Sequence, residues 1–300
     1  MKIKRLSYIL FLIGLSIFMY PHVHKILFDA QNITAFNEYE NVVTHMSDEE
    51  IRRYIQEFQE YNEYIANDPV EQVYVDPFIG GIAKEEYVSK TVTSSGAFGY
   101  IEIPKIRQTL PIFLGASLEH LAKGVAQLEE TSLPIGGIGT NSVIAGHRGY
   151  SKGALLFKHL DQLAVGDRFY IHVYDMTLTY EVVGTEVILP TQTEKLMIDP
   201  MKDMVTLLTC TPYRVSTHRL LVYALRVQEE SGFMGLRAYT RKEDTQAGVL
   251  SASATKERAV SSEVMNDNYL SYAVVGIGSL VWVTVFILLL RTFRRQRSET

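Results

Sequence analysis

Apolar residues first run almost unbroken from Leu6 to Tyr20, behind Lys2, Lys4 and Arg5. A stretch of about 15 residues is at the short end of what crosses a bilayer, and reads as a signal-peptide core or an uncleaved anchor. Pro21-His22-Val23-His24 follows it, with no small-residue cleavage site, which favours the anchor. Residues 29–66 then take a helical period. Ile33, Phe36, Tyr39 and Val43 form one stripe; Ile51, Tyr54, Ile55, Phe58, Tyr61 and Ile65 form a stronger one. Ser47 and Glu50 have the spacing of a capping box at the start of the second helix, and Asn67-Asp68-Pro69 stops it. The pattern predicts a helical hairpin. Residues 67–97 lose periodicity and carry Asp-Pro twice, Gly80-Gly81 and Ser94-Ser95-Gly96, as a long loop does. Val73 to Ile79, however, is too apolar for a free linker and should pack on something.

From Phe98 the period becomes that of strands. Strands are expected at Tyr100–Ile103, Thr109–Phe113, Asn141–His147, Arg168–Val173, Leu178–Leu189, Val205–Cys210 and His218–Gln228. Pro111 marks the second as an edge. Leu118–Gly124 reads as one or two helical turns and Leu155–Leu163 as a short helix. Seven or eight short strands with turns between them predict a mainly β fold, a closed or nearly closed barrel. Residues 231–268 read as a last helix and a tether. Tyr269–Leu290 then carries no charge and is long enough to span a bilayer, and Arg291, Arg294, Arg295 and Arg297 follow at once. Trp282 falls mid-span, which leaves Tyr269 and Tyr272 as the interfacial aromatics.

This pattern divides the chain into an anchor or signal segment (1–24), a hairpin and loop (25–97), a barrel (98–230), a helix and tether (231–268), a transmembrane helix (269–291) and a basic tail (292–300). Positive charge on the outer flank of both apolar segments places both termini in the cytoplasm and the barrel outside. The formal net charge is −5, and the flanks are almost wholly positive, so the part between them is more acidic still. Such a balance argues against a nucleic-acid binder. One Cys in 300 residues excludes an internal disulfide framework and any multi-Cys metal site.

That lone Cys210 ends the strand Val205-Thr206-Leu207-Leu208-Thr209-Cys210. Nine residues on, Thr217-His218-Arg219-Leu220 opens the next strand, and Ala145-Gly146-His147-Arg148-Gly149 ends an earlier one. A thiol, an imidazole and a guanidinium thus sit at strand ends, where a barrel displays side chains on its rim. A thiol becomes a nucleophile when a base or positive charge lies near, and Arg can hold a substrate and stabilise an oxyanion. From spacing alone, a single Cys is more often a small buried hydrophobe.

The run Thr206-Leu207-Leu208-Thr209-Cys210 resembles the TLxTC signature of the sortases, cysteine transpeptidases of Gram-positive surfaces. Arg219 matches their active-site Arg and Gly146-His147-Arg148 resembles the sequence around their His, in the same order. The resemblance covers residues 98–228. It implies a sortase-like closed barrel with Cys210, His147 and Arg219 catalytic, Thr209 and Arg219 at the substrate, and no metal or organic cofactor. Arg214 is a fallback for Arg219, and Arg148 a further source of charge.

The hairpin, the loop carrying Asp76-Pro77-Phe78 and the C-terminal span resemble class C, the pilus-assembling sortases. There an Asp-Pro-aromatic motif forms a lid, which implies Asp76 facing Arg219 and Phe78 over Cys210. Read without the resemblance, Asp76-Pro77 is a turn and Phe78 a core residue. The implied partners are pilins with an LPxTG-like signal, a pilin Lys as acceptor, and the membrane. Two other functions remain open on sequence: anchoring single proteins to a peptidoglycan precursor, and non-catalytic binding or scaffolding.

Overall fold

A computed structural model describes residues 2–67, 76–80, 93, 95–149, 155–227 and 269–297. The expected loop at 68–75 and 81–92 and the helix and tether at 231–268 lie outside the described residues. The described residues form two compact units, 2–31 with 269–297, and the rest from 32 to 227.

The first unit contains two helices long and apolar enough to cross a membrane, which suggest anchoring. Helix α1 runs as one element from Lys2 to His45, where the pattern had placed an apolar segment and a separate helix. Pro21 lies inside it. The C-terminal apolar helix is Tyr269–Arg297. Arg5 donates to the Thr292 carbonyl at 2.6 Å, and His22 Nδ1 lies 3.3 Å from Ser271 Oγ. Trp282, expected mid-span, donates its indole N–H to Ser16 Oγ at 3.2 Å. A polar group in hydrocarbon costs least when another helix takes its hydrogen bond.

The second unit is an eight-stranded closed barrel, ordered β1-β2-β3-β4-β7-β8-β6-β5. Its strands are β1 Ala97–Ile103, β2 Gln108–Leu114, β3 Val125–Gln127, β4 Thr140–Ala145, β5 Arg168–Val173, β6 Met176–Ile188, β7 Asp203–Thr211 and β8 His218–Arg226. Most pairs are antiparallel; β2–β3 and β4–β7 are parallel. Three sequence expectations need correction. β3 is only three residues long and fully buried, so it shows no alternation to read. Pro111 is not on an edge, since β2 pairs with both β1 and β3; the β3 ladder begins one residue later, at Ile112, where no proline interrupts it. Leu155–Leu163 is not a helix but turns and a 3₁₀ turn at Leu160–Gln162, with Leu156 at a φ of 42°.

Helix α2, Asp48–Asn67, closes one side of the barrel. Its capping box forms: the Ser47 N–H donates to Glu50 at 2.9 Å and the Glu50 N–H to Ser47 Oγ at 3.3 Å. Phe58 is fully buried and meets Phe98 and Tyr174. Asn62, on the same stripe, trades two hydrogen bonds with the Leu133 backbone. The last part of α1 packs likewise. Phe36 lies edge-on to Tyr100, and the Tyr39 hydroxyl accepts from the Tyr174 N–H at 2.6 Å. Both predicted stripes therefore face the barrel.

Candidate active site

The antiparallel register of β7 and β8 sets Cys210 directly opposite Arg219. Residues paired this way share one face of the sheet. Two residues back, Leu208 and its partner Leu221 belong to the buried apolar cluster of the barrel, so Cys210 and Arg219 sit where that cluster meets the rim. Cys210 is 7% exposed and Arg219 4%. His147 follows β4, the other neighbour of β7. Gly146, just before it, is closely packed: a Cβ there would come within 2.7 Å of Phe157 and 2.9 Å of Val125. The His147 carbonyl accepts from the N–H groups of Gly149 and Phe157 at 2.8 and 3.0 Å.

The short helix α3, Pro77–Gly80, lies over this rim. Asp76, just before it, pairs with Arg219 through both carboxylate oxygens, Nε at 3.2 Å and Nη2 in a shorter contact. Both side chains are buried. Such a two-point pair is the strong form of the carboxylate–guanidinium bond. Asp76 also caps the turn, accepting from the Phe78 N–H at 3.1 Å. The Phe78 ring lies 5.5 Å from the His147 ring and 5.2 Å from the Arg219 guanidinium, and packs on the apolar cluster. Phe78, expected over Cys210, is thus placed between the two residues that flank it. A small cleft beneath is lined by Pro77, Leu128, Ile188, Leu196, Leu208 and Arg219.

Electrostatics in this arrangement favour neutral forms. Burial pushes the Cys210 thiol above its usual value; Arg219 and a hydrogen bond with Ser216 pull it down, and Asp76 pushes it up. Burial holds the His147 imidazole below its usual value. Arg219 Nη1 is engaged as well, giving to the carbonyls of Ser216 and His218 at 2.9 and 2.8 Å.

Other expected residues fall differently. Thr209, expected at the substrate, is fully buried and donates to the Gly146 carbonyl at 2.7 Å, so its hydroxyl braces β7 against the His147 loop. Arg214 is exposed at a φ of 68° and lies over the Tyr213 ring, leaving Arg219 as the cation opposite the thiol. Arg148 donates to Thr211 Oγ1 at 2.5 Å and pairs with Asp161 at 2.8 Å. Ser216 was not foreseen; it acts through a loop geometry that no spacing announces. Among the described residues no group of three or more His, Cys, Asp or Glu side chains is placed to hold a metal ion.

Residues 101–227 match the sortase domain family. A solved structure, sortase C1 of pilus island 1 of group B Streptococcus, is 40% identical at a TM-score of 0.59, over 64% of this chain and 90% of that one. The chain belongs to the sortase family. Streptococcus pneumoniae sortase C is 36% identical at a TM-score of 0.60, over 65% of this sortase and 97% of its own chain. A lid mutant of Streptococcus agalactiae sortase C1 is 38% identical at 0.58, over 64% and 96%. The structural neighbours are thus class C sortases, one of them described as pilus-related. Among curated relatives, sortase A of Bacillus anthracis is 28% identical over 137 residues, and sortase D of Bacillus subtilis 29% over 134. These matches take in 46% and 44% of this sortase and 63% and 64% of the relatives, so it spans a little under two thirds of their length.

Proposed function

We propose that this sortase is a membrane-anchored class C transpeptidase that joins pilin subunits. The observation that carries the reading is the facing pair Cys210–Arg219 with His147 on the adjoining strand end, under the short segment Asp76–Gly80. Cys210 passes its thiol proton to His147 and attacks the Thr–Gly carbonyl of an LPxTG-like signal. Arg219 orients the signal and stabilises the oxyanion. His147 protonates the leaving amine, and a thioester remains on Cys210. A Lys amine of the next pilin gives a proton to His147 and takes the acyl group as an isopeptide bond. Both termini lie in the cytoplasm and the barrel outside, as the flanking charge favours.

Asp76-Pro77-Phe78 acts as a lid in this scheme. Asp76 occupies the Arg219 donors that an oxyanion needs, and Phe78 fills the space beside His147. The closed form rests with a neutral thiol, and the lid must leave before the signal binds.

The test is intact mass of the full chain in detergent after incubation with an LPxTG-type peptide. The expected result is a hydroxylamine-sensitive adduct of the peptide cut after Thr, larger when Asp76 and Phe78 are both Ala, and absent in Cys210→Ala. Failure to form the adduct with the lid removed would refute the transpeptidase. Offering a pilin Lys peptide against a wall-precursor amine then assigns the acceptor; preference for the latter would refute the pilus role.

A further inference from the structure

The parallel pairing of β4 with β7 keeps one constant offset. Thr140 lies beside Asp203, Ser142 beside Val205 and Ala145 beside Leu208. The backbone ladder stops there, but its register does not. The Gly146 N–H still reaches the Leu208 carbonyl at 3.0 Å. Two side-chain rungs then follow, each between residues 63 apart, the offset of the ladder itself: Thr209 to the Gly146 carbonyl, and Arg148 to Thr211 Oγ1. His147 and Cys210 stand at that same separation, between the two rungs.

Alternation along a strand puts neighbouring side chains on opposite faces. The rungs at 209 and 211 therefore lie behind the face that carries Cys210. The first is short and wholly buried. The second spans the open end of the sheet, and its guanidinium is tied on its far side to Asp161 at 2.8 Å, in the 3₁₀ turn after the His147 loop. A planar donor fork can hold two acceptors in fixed directions at once, which an ammonium does less well.

We infer that Arg148 is a positioning residue that carries the β4–β7 register one step past the end of the ladder and so holds His147 in line with Cys210. The inference rests on the reading of these two side chains as the reacting pair. Thr211 and Asp161 are its two anchors. Arg148 itself touches neither the signal peptide nor the acceptor.

The test does not depend on catalysis. Cys210 is the only cysteine, so His147→Cys in the full chain creates a single pair that closes a disulfide under a mild oxidant when residues 147 and 210 are aligned. The pair is expected to close, and adding Arg148→Ala should slow closure at least fivefold. Thr211→Val, which keeps the Asp161 pair and adds no charge, should slow it about threefold, and Arg148→Lys should restore part of the rate. With His147 intact, Arg148→Ala should lower kcat for peptide cleavage tenfold or more and leave KM within twofold. Absence of the disulfide, closure at an unchanged rate in both Arg148→Ala and Thr211→Val, or a loss confined to KM would each overturn the inference. Trapping as expected in a protein that never cleaves the peptide would support the brace and sink the transpeptidase reading instead.

Discussion

The wall that carries Cys210 and the segment that covers it are held by different kinds of force. β7 is paired with β8 from Met204 to Thr211 and with β4 from Asp203 to Leu208, and its thiol comes after five consecutive fully or nearly buried residues. Moving Cys210 relative to Arg219 would break a ladder. The Asp76–Gly80 segment is instead held by side chains: one two-point ion pair, one aromatic ring and one turn cap. A backbone ladder is cooperative and fixes geometry, whereas a few side-chain contacts can be exchanged for contacts with another chain. Cys210 and Arg219 are built into the first kind of structure and the Asp76–Gly80 segment over them into the second.

The comparison can be broken at several points. The largest effect belongs to the wall. Cys210→Ala should abolish acyl transfer outright in the mass assay, and residual adduct would place the nucleophile elsewhere. Arg219→Lys keeps the charge and loses the fork; peptide turnover should fall by about 10²–10³-fold, the usual cost of one oxyanion donor. Phe58→Ala empties a fully buried ring site between α2 and the barrel. It should cost about 3–5 kcal/mol, read as a lower thermal midpoint. Smallest is Ser47→Ala, which opens the exposed capping box and should cost about 1 kcal/mol in the same melt without changing turnover.

What could be read beforehand followed from how local each cause is. Helix α2 was legible because its stripe, with Tyr54 and Tyr61 half-buried and Phe58 and Ile65 buried, recurs at helical spacing, and its cap is written in two side chains. Cys210 and Arg219 were legible because a hairpin converts a spacing of nine into a facing pair. The place of His147 near Cys210 was legible only through the resemblance: it depends on a parallel pairing between strands far apart in sequence. Barrel closure is equally non-local, and it turned the expected edge at Pro111 into an interior strand. Leu155–Leu163 misled because its apolar spacing imitates a helix while Leu156 takes a left-handed turn. Thr209 is next to Cys210 in sequence, yet alternation points its hydroxyl to the other face, at Gly146.

The contrast between a fixed wall and a removable cover is measured most directly by alkylation of Cys210 across pH in the full chain. Thiolate is the reacting form. In the closed state burial and the Asp76 carboxylate raise the thiol pKa while Arg219 lowers it. Replacing Asp76 and Phe78 by Ala removes one upward influence, lessens the burial and leaves Arg219 unpaired beside the sulfur. The apparent pKa should therefore fall and the rate at neutral pH rise at least tenfold, with the thermal midpoint of the barrel little changed. Equal rates and equal pKa in the wild type and the double variant would contradict a cover held by Asp76 and Phe78.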